Sequence, residues 1–142
     1  MIIYCDMDMV LCNFLKGALD VTGEPFPDKT GKLSKDEKKA IISSKKDFWD
    51  TLEWMPDGKK LWAHITKGGA DVRLLSAYAE WDSNCRRGKK VWVARNLKPK
   101  PNKIHLVRRE QKKDYANYDA LLIDDHDTVS YTHLTLPTTG IV

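Results

Sequence analysis

The stretch Ile2-Ile3-Tyr4-Cys5-Asp6-Met7-Asp8, residues 2–8, begins with a short apolar run and ends in two acids one residue apart. A continuous apolar run of this length reads as a strand buried on both faces, as in a parallel sheet, and the acids then fall on the loop at its C-terminal end. Three later runs repeat the pattern. Val72 to Ala77 ends in Ser76 and Ala77, Ile104 to Val107 is a third strand, and Ala120-Leu121-Leu122-Ile123 runs directly into Asp124-Asp125. Between the second and third runs, Asp82 to Leu97 carries Val91, Trp92 and Arg95 at helical spacing, with Asp82 or Ser83 available as its cap. Strands alternating with helices predict an α/β fold built on a parallel sheet.

The segment from Leu15 to Gly69 is too long for an ordinary strand-to-helix connection and has helix signals of its own. Ser34-Lys35-Asp36-Glu37 is a capping box, and Met55-Pro56-Asp57-Gly58 is a turn followed by an apolar stripe of Leu61, Trp62 and Ile65. The expected organisation is a core of residues 1–14 and 70–127 carrying a small helical cap insertion, 15–69.

Composition narrows the setting. A chain of 142 residues with 42% hydrophobic and 31% charged side chains makes one folded core rather than a disordered or fibrous polymer. No run reaches the roughly 18 apolar residues of a membrane span, and Asp6 interrupts the N-terminus before a signal-like stretch develops, so a cytoplasmic protein without a membrane partner is expected. Cys5, Cys12 and Cys85 form neither a CxxC pair nor an even set, which fits a reducing compartment and offers no zinc-site spacing. The net charge of +4 fits an anionic substrate or a solvated lysine-rich surface. No Walker or Rossmann glycine loop is present, which disfavours NTP-driven chemistry and dinucleotide binding.

Ligands of an open parallel α/β sheet bind at the carboxyl ends of its strands. Here those ends present Asp6 and Asp8, Ser76, and Asp124 and Asp125, with Lys89, Lys112 and Lys113 near in sequence. Converging carboxylates repel unless a hard cation neutralises them, and oxygen-only ligands select magnesium over zinc. Magnesium in turn binds phosphate, whose other oxygens a hydroxyl and a lysine can hold. An aspartate beside that phosphorus can attack it, and a neighbour two residues on can protonate the leaving oxygen and later activate water.

The segments Asp6-Met7-Asp8-Met9-Val10, Leu74-Leu75-Ser76-Ala77 and Leu121-Leu122-Ile123-Asp124-Asp125 resemble motifs I, II and IV of the haloacid dehalogenase-like (HAD) phosphohydrolases. The Phe48-Trp49 pair with Leu52 to Pro56, and Lys89-x-x-Trp92-Val93, are similar to the 5'(3')-deoxyribonucleotidase branch, including phage and bacterial members. The resemblance implies a HAD-like Rossmannoid core and a magnesium-dependent phosphomonoesterase of nucleoside monophosphates. It implies Asp6 as nucleophile and magnesium ligand, Asp8 as general acid/base and ligand through its backbone carbonyl, and Asp124 as third ligand with Asp125 in support. Ser76 and Ala77 match the phosphate-holding motif II, and Lys89 resembles a second phosphate-contacting lysine. Of the two motif III candidates, Lys113 fits the spacing slightly better than Lys112. Met9 departs from the glycine common at its position.

Phe48, Trp49 and Trp54 lie in the insertion where a nucleotidase cap would stack on a base, or else they pack the insertion on the sheet; Trp62 and Trp92 read as packing residues. The basic surface also fits a 3'-phosphatase acting on nucleic-acid ends, or an inactive fragment binding polyanions. The tail Val129 to Val142 breaks with what precedes it, having no charged residue apart from His133. Val129 to Thr138 resembles, in frame and without a gap, a translated transposon-type sequencing adapter. Natural sequence is therefore expected to stop at Asp127, leaving residues 128–142 non-native and the fold C-terminally truncated.

Overall fold

The structure, a computed structural model, describes residues 1–28, 31–115 and 119–125. The proposed adapter tail lies outside them, as do residues 126–128. Four strands form one parallel sheet in the order β3-β2-β1-β4, with β1 at Ile2–Cys5, β2 at Asp71–Ala77, β3 at Ile104–Val107 and β4 at Ala120–Ile123. All four apolar runs are strands within a residue of their expected bounds. The helices are α1 (Phe14–Thr22), α2 (Lys35–Ser44), α3 (Gly58–Thr66) and α4 (Cys85–Asn96), with a 3-10 helix at Arg109–Tyr115. The protein is thus an α/β protein whose parallel sheet is compatible with a Rossmann-like fold. No helix among the described residues is long and apolar enough to cross a membrane.

Local chemistry accounts for the helix ends. The Ser34 hydroxyl accepts from the Glu37 amide and the Glu37 carboxylate accepts from the Ser34 amide, closing the expected capping box of α2. Helix α3 follows the Met55–Gly58 turn and buries Leu61, Trp62 and Ile65, a stripe in which each such side chain contributes roughly 1.5–3 kcal/mol. Helix α4 corrects its expected start, because the N-cap is Asn84 rather than Asp82 or Ser83. Asp82 caps the turn that leads into α4 instead: one carboxylate oxygen accepts from the Asn84 amide and the other from the Trp49 indole.

Segment 15–69 shares the main core instead of closing one of its own. Ile42, Phe48 and Trp49 belong to the same buried cluster as Leu74, Trp92 and Ile123. Gly88 on α4 makes the join close, since a Cβ there would stand 2.6 Å from the Trp49 Cβ. The opposite sheet face carries Tyr4, Leu75 and Ala120, with Tyr115 of the 3-10 helix packed against them. Tyr115 sits edge-on to Tyr4, with ring centroids 5.6 Å apart, and 4.9 Å from His105.

Candidate functional site

The chain lays β2 and β3 on one side of β1 and then returns to place β4 on the other. That reversal is the switch point at which such sheets open a crevice beyond their carboxyl ends. Cys5 pairs with Ile123 across the β1–β4 ladder, and the Asp6 amide donates to the Ile123 carbonyl at 2.9 Å. The next residue on each strand is an acid, so Asp6 and Asp124 emerge side by side. Oxygens of Asp6, Asp124 and Asp125 lie within 4.8 Å of one another, the first two residues buried and the third exposed. Burial pushes the Asp6 carboxyl up to about 7, with Asp124 adding to the rise and Lys112 opposing it.

The 3-10 helix delivers the first cation. Lys112 Nζ lies 2.6 Å from Asp124 Oδ2 and 3.5 Å from Asp6 Oδ2. Burial works against the Lys112 ammonium, yet the two carboxylates outweigh it and raise its pKa. Lys113, the residue favoured by spacing, is exposed, which corrects that expectation. A 3-10 helix turns every 3.0 residues, so the side chain three before the anchored Tyr115 shares its column, and that residue is Lys112.

Helix α4 delivers the second. Lys89, 2% exposed, donates to Asp8 Oδ2 at 2.9 Å, Ser76 Oγ at 2.7 Å and the Ala77 carbonyl at 3.0 Å. The ammonium therefore ties the β1 loop to the end of β2. Burial opposes its charge, but Asp8 leads the groups that raise its pKa. Ser76 is fully buried behind Lys89, whereas Ala77 reaches the cavity wall. Asp8 Oδ1 is buried without a hydrogen-bond partner. Such an orphan acceptor marks a place where a ligand, ion or proton belongs.

The loop after β1 is wound tightly, the Met7 carbonyl accepting from the amides of Val10, Leu11 and Cys12. Met9 sits at φ 64°, in the left-handed region that glycine adopts without strain. This explains why a glycine at this point of the motif would serve the loop. Met9→Gly is expected to leave stability within about 1 kcal/mol of the parent despite the lost side chain, while Met9→Ile costs about 1–2 kcal/mol, both read by urea unfolding. A larger loss for glycine than for isoleucine would show that side-chain packing outweighs backbone strain there.

A cavity of about 610 Å³ opens over the acids, lined by Asp6, Asp8, Lys112, Asp124 and Asp125 on one side. Phe14, Phe26, Trp49, Tyr78 and Trp81 form its aromatic wall. Trp49 is stacked on Phe14 at 5.4 Å and held by its bond to Asp82. Of the three cap aromatics expected over a base, only Trp49 reaches this cavity. Phe48 is buried in the core, and Trp54 packs edge-on against Trp92 with centroids 4.9 Å apart. Trp62 and Trp92 are buried as expected, their indoles donating to the Pro99 and Leu52 carbonyls. Phe14, Phe26, Tyr78 and Trp81 were not singled out by the sequence, and no spacing joins them. Each of the three cysteines is a buried free thiol, its pKa pushed up foremost by burial, which leaves it inert.

The donor set suits a hard divalent cation. Asp6, Asp124 and Asp125 offer only carboxylate oxygens, and the single Lys112 ammonium beside the two buried acids leaves the three-acid cluster with net negative charge. The Asp8 carboxylate is not in that cluster, being turned to Lys89. No protein-family model matches the chain and no curated protein matches it.

Proposed function

We propose that the protein is a magnesium-dependent phosphomonoesterase of the HAD type that hydrolyses nucleoside 5'-monophosphates through an aspartyl-phosphate on Asp6. The observation that carries this reading is the convergence, at one sheet switch point, of the Asp6–Asp124–Asp125 cluster, Lys112 and the Lys89–Asp8–Ser76 bridge beneath an aromatic-walled cavity. Magnesium, held by Asp6, Asp124 and Asp125, would supply charge neutralisation for the phosphate oxygens.

The residues divide the remaining work. An Asp6 oxygen attacks phosphorus, forming the acyl phosphate as the ester bond to the nucleoside oxygen breaks. Asp8, two residues on, gives a proton to that leaving oxygen and then takes one from the water that cleaves the acyl phosphate, returning Asp6 and inorganic phosphate. Lys112, which lines the cavity, balances charge on the phosphate, while Lys89, buried behind the wall, holds Asp8 and the end of β2 in place. Phe26, Tyr78 and Trp81, the partly exposed members of the aromatic wall, offer flat faces to the base, while Trp49, 2% exposed and stacked on Phe14, backs that wall from the core.

The direct test is phosphate release from deoxynucleoside 5'-monophosphates with magnesium and with a chelator. Release that persists in the chelator would overturn the metal-dependent reading. Lys112→Ala is expected to lower kcat/KM by about a hundredfold or more, while Lys113→Ala stays within about twofold. Equal losses would sink the assignment of Lys112.

A further inference from the structure

Arg109 opens the same 3-10 helix that carries Lys112, and it lines the same cavity. Its side chain is exposed and takes part in no ion pair or hydrogen bond among the described residues. This contrasts with Lys112 and Lys89, whose ammonium groups are committed to Asp124 and Asp6, and to Asp8 and Ser76. Three residues is one turn of a 3-10 helix, so Arg109 and Lys112 stand in one column roughly 6 Å apart along the axis. The cavity's other charged wall residues, Asp6, Asp8, Glu80, Asp124 and Asp125, are all acidic. An uncommitted guanidinium among them is, among the described residues, the one wall group that can attract an anion remote from the scissile phosphate. Its planar fork of donors matches a phosphate in two-point contact.

We propose that Arg109 is a specificity-determining residue that binds a second phosphate of the substrate, so that the preferred substrates are nucleotides carrying a phosphate on each side of the sugar. The inference rests on the phosphomonoesterase reading and adds the class of substrate to it. The second phosphate has two chemical sources, a nucleoside 3',5'-bisphosphate or the first diester of a 5'-phosphorylated oligonucleotide. Both present it at the same distance from the phosphate being removed.

The test compares kcat/KM for thymidine 5'-monophosphate, thymidine 3',5'-bisphosphate and a 5'-phosphorylated thymidine dinucleotide, using the full chain with magnesium. The parent is expected to prefer a doubly phosphorylated substrate over the monophosphate by about ten- to a hundredfold, the weight of one charge-assisted hydrogen-bonded contact. Arg109→Ala should bring that ratio close to one, through KM rather than kcat, and Arg109→Lys should restore part of it. Preference for the bisphosphate alone assigns a small-molecule source, and an equal or greater gain with the dinucleotide assigns a nucleic-acid end. Two results overturn the inference while leaving the phosphomonoesterase standing: a parent that hydrolyses all three equally, or a preference that survives Arg109→Ala. Failure to release phosphate from any of the three overturns the underlying reading as well.

Discussion

Asp6→Asn is expected to abolish magnesium-dependent phosphate release, by about four orders of magnitude or more, while making the metal-free protein more stable above neutral pH. The two effects share one cause. Asp6 is 7% exposed at the end of β1, and its carboxyl is pushed up to about 7 by burial. Between the ordinary carboxyl range near 4 and that value, the folded chain holds a proton that the unfolded chain has released. Stability of the parent therefore falls as pH rises through this window, and the full loss stands above pH 7. Its size is on the order of 4 kcal/mol, the opposing charge of Lys112 being already contained in that position of the carboxyl. Asparagine carries no charge to bury, so the variant should unfold in urea at nearly the same midpoint at pH 5 and pH 8, with chelator present in both. Magnesium at a hundred times its dissociation constant should add about 2.7 kcal/mol to the parent and far less to the variant. Phosphate release surviving in the variant would sink the covalent mechanism. A parent equally stable at both pH values would sink the account of Asp6 as a buried charge.

This opposition between stability and chemistry also explains why part of the site could be read from the sequence. Apolar runs ending in acids are locally expensive, and Ile2 to Asp8 and Ala120 to Asp125 announce both a strand and a reason for its end. The capping box at Ser34 and the stripe Leu61, Trp62 and Ile65 are likewise complete within a few residues. What failed to show was decided by distant partners. Nothing local chooses between Lys112 and Lys113; Tyr115 docking on Tyr4 and His105 sets the phase of the 3-10 helix, and its period of three was the signal that could have found Lys112. Asp82 still serves the entry to α4, one oxygen accepting from the Asn84 amide, but its second oxygen is taken by Trp49, 33 residues earlier in the chain, a partner no local pattern could announce. The aromatic wall gathers Phe14, Phe26, Trp49, Tyr78 and Trp81 from separate segments, so no periodicity could assemble it.

Lys89→Met should destabilise the protein by about 3 kcal/mol and lower its midpoint of thermal unfolding by on the order of 10 °C. The methionine fills nearly the same space, so the loss is electrostatic rather than a cavity. Removing the ammonium leaves the Asp8 carboxylate facing the wall of α4 with Oδ1 already unpartnered, and strips Ser76 Oγ and the Ala77 carbonyl of their shared donor. Asp8 is about a third exposed, at 32%, so water offsets part of the cost, which places the figure at the low end for broken buried pairs. Lys89→Arg is not a conservative repair, because the larger guanidinium must fit beside the Trp49 ring, whose centroid lies 5.7 Å from Nζ. A double-mutant cycle separates charge from packing. If the ion pair carries the effect, Asp8→Asn costs little in the Lys89→Met background, and the cycle returns a coupling of about 2 kcal/mol. Additive losses would mean that Lys89 acts chiefly through Ser76 and Ala77, holding the end of β2, and that the β1 loop keeps its shape without the Asp8 pair.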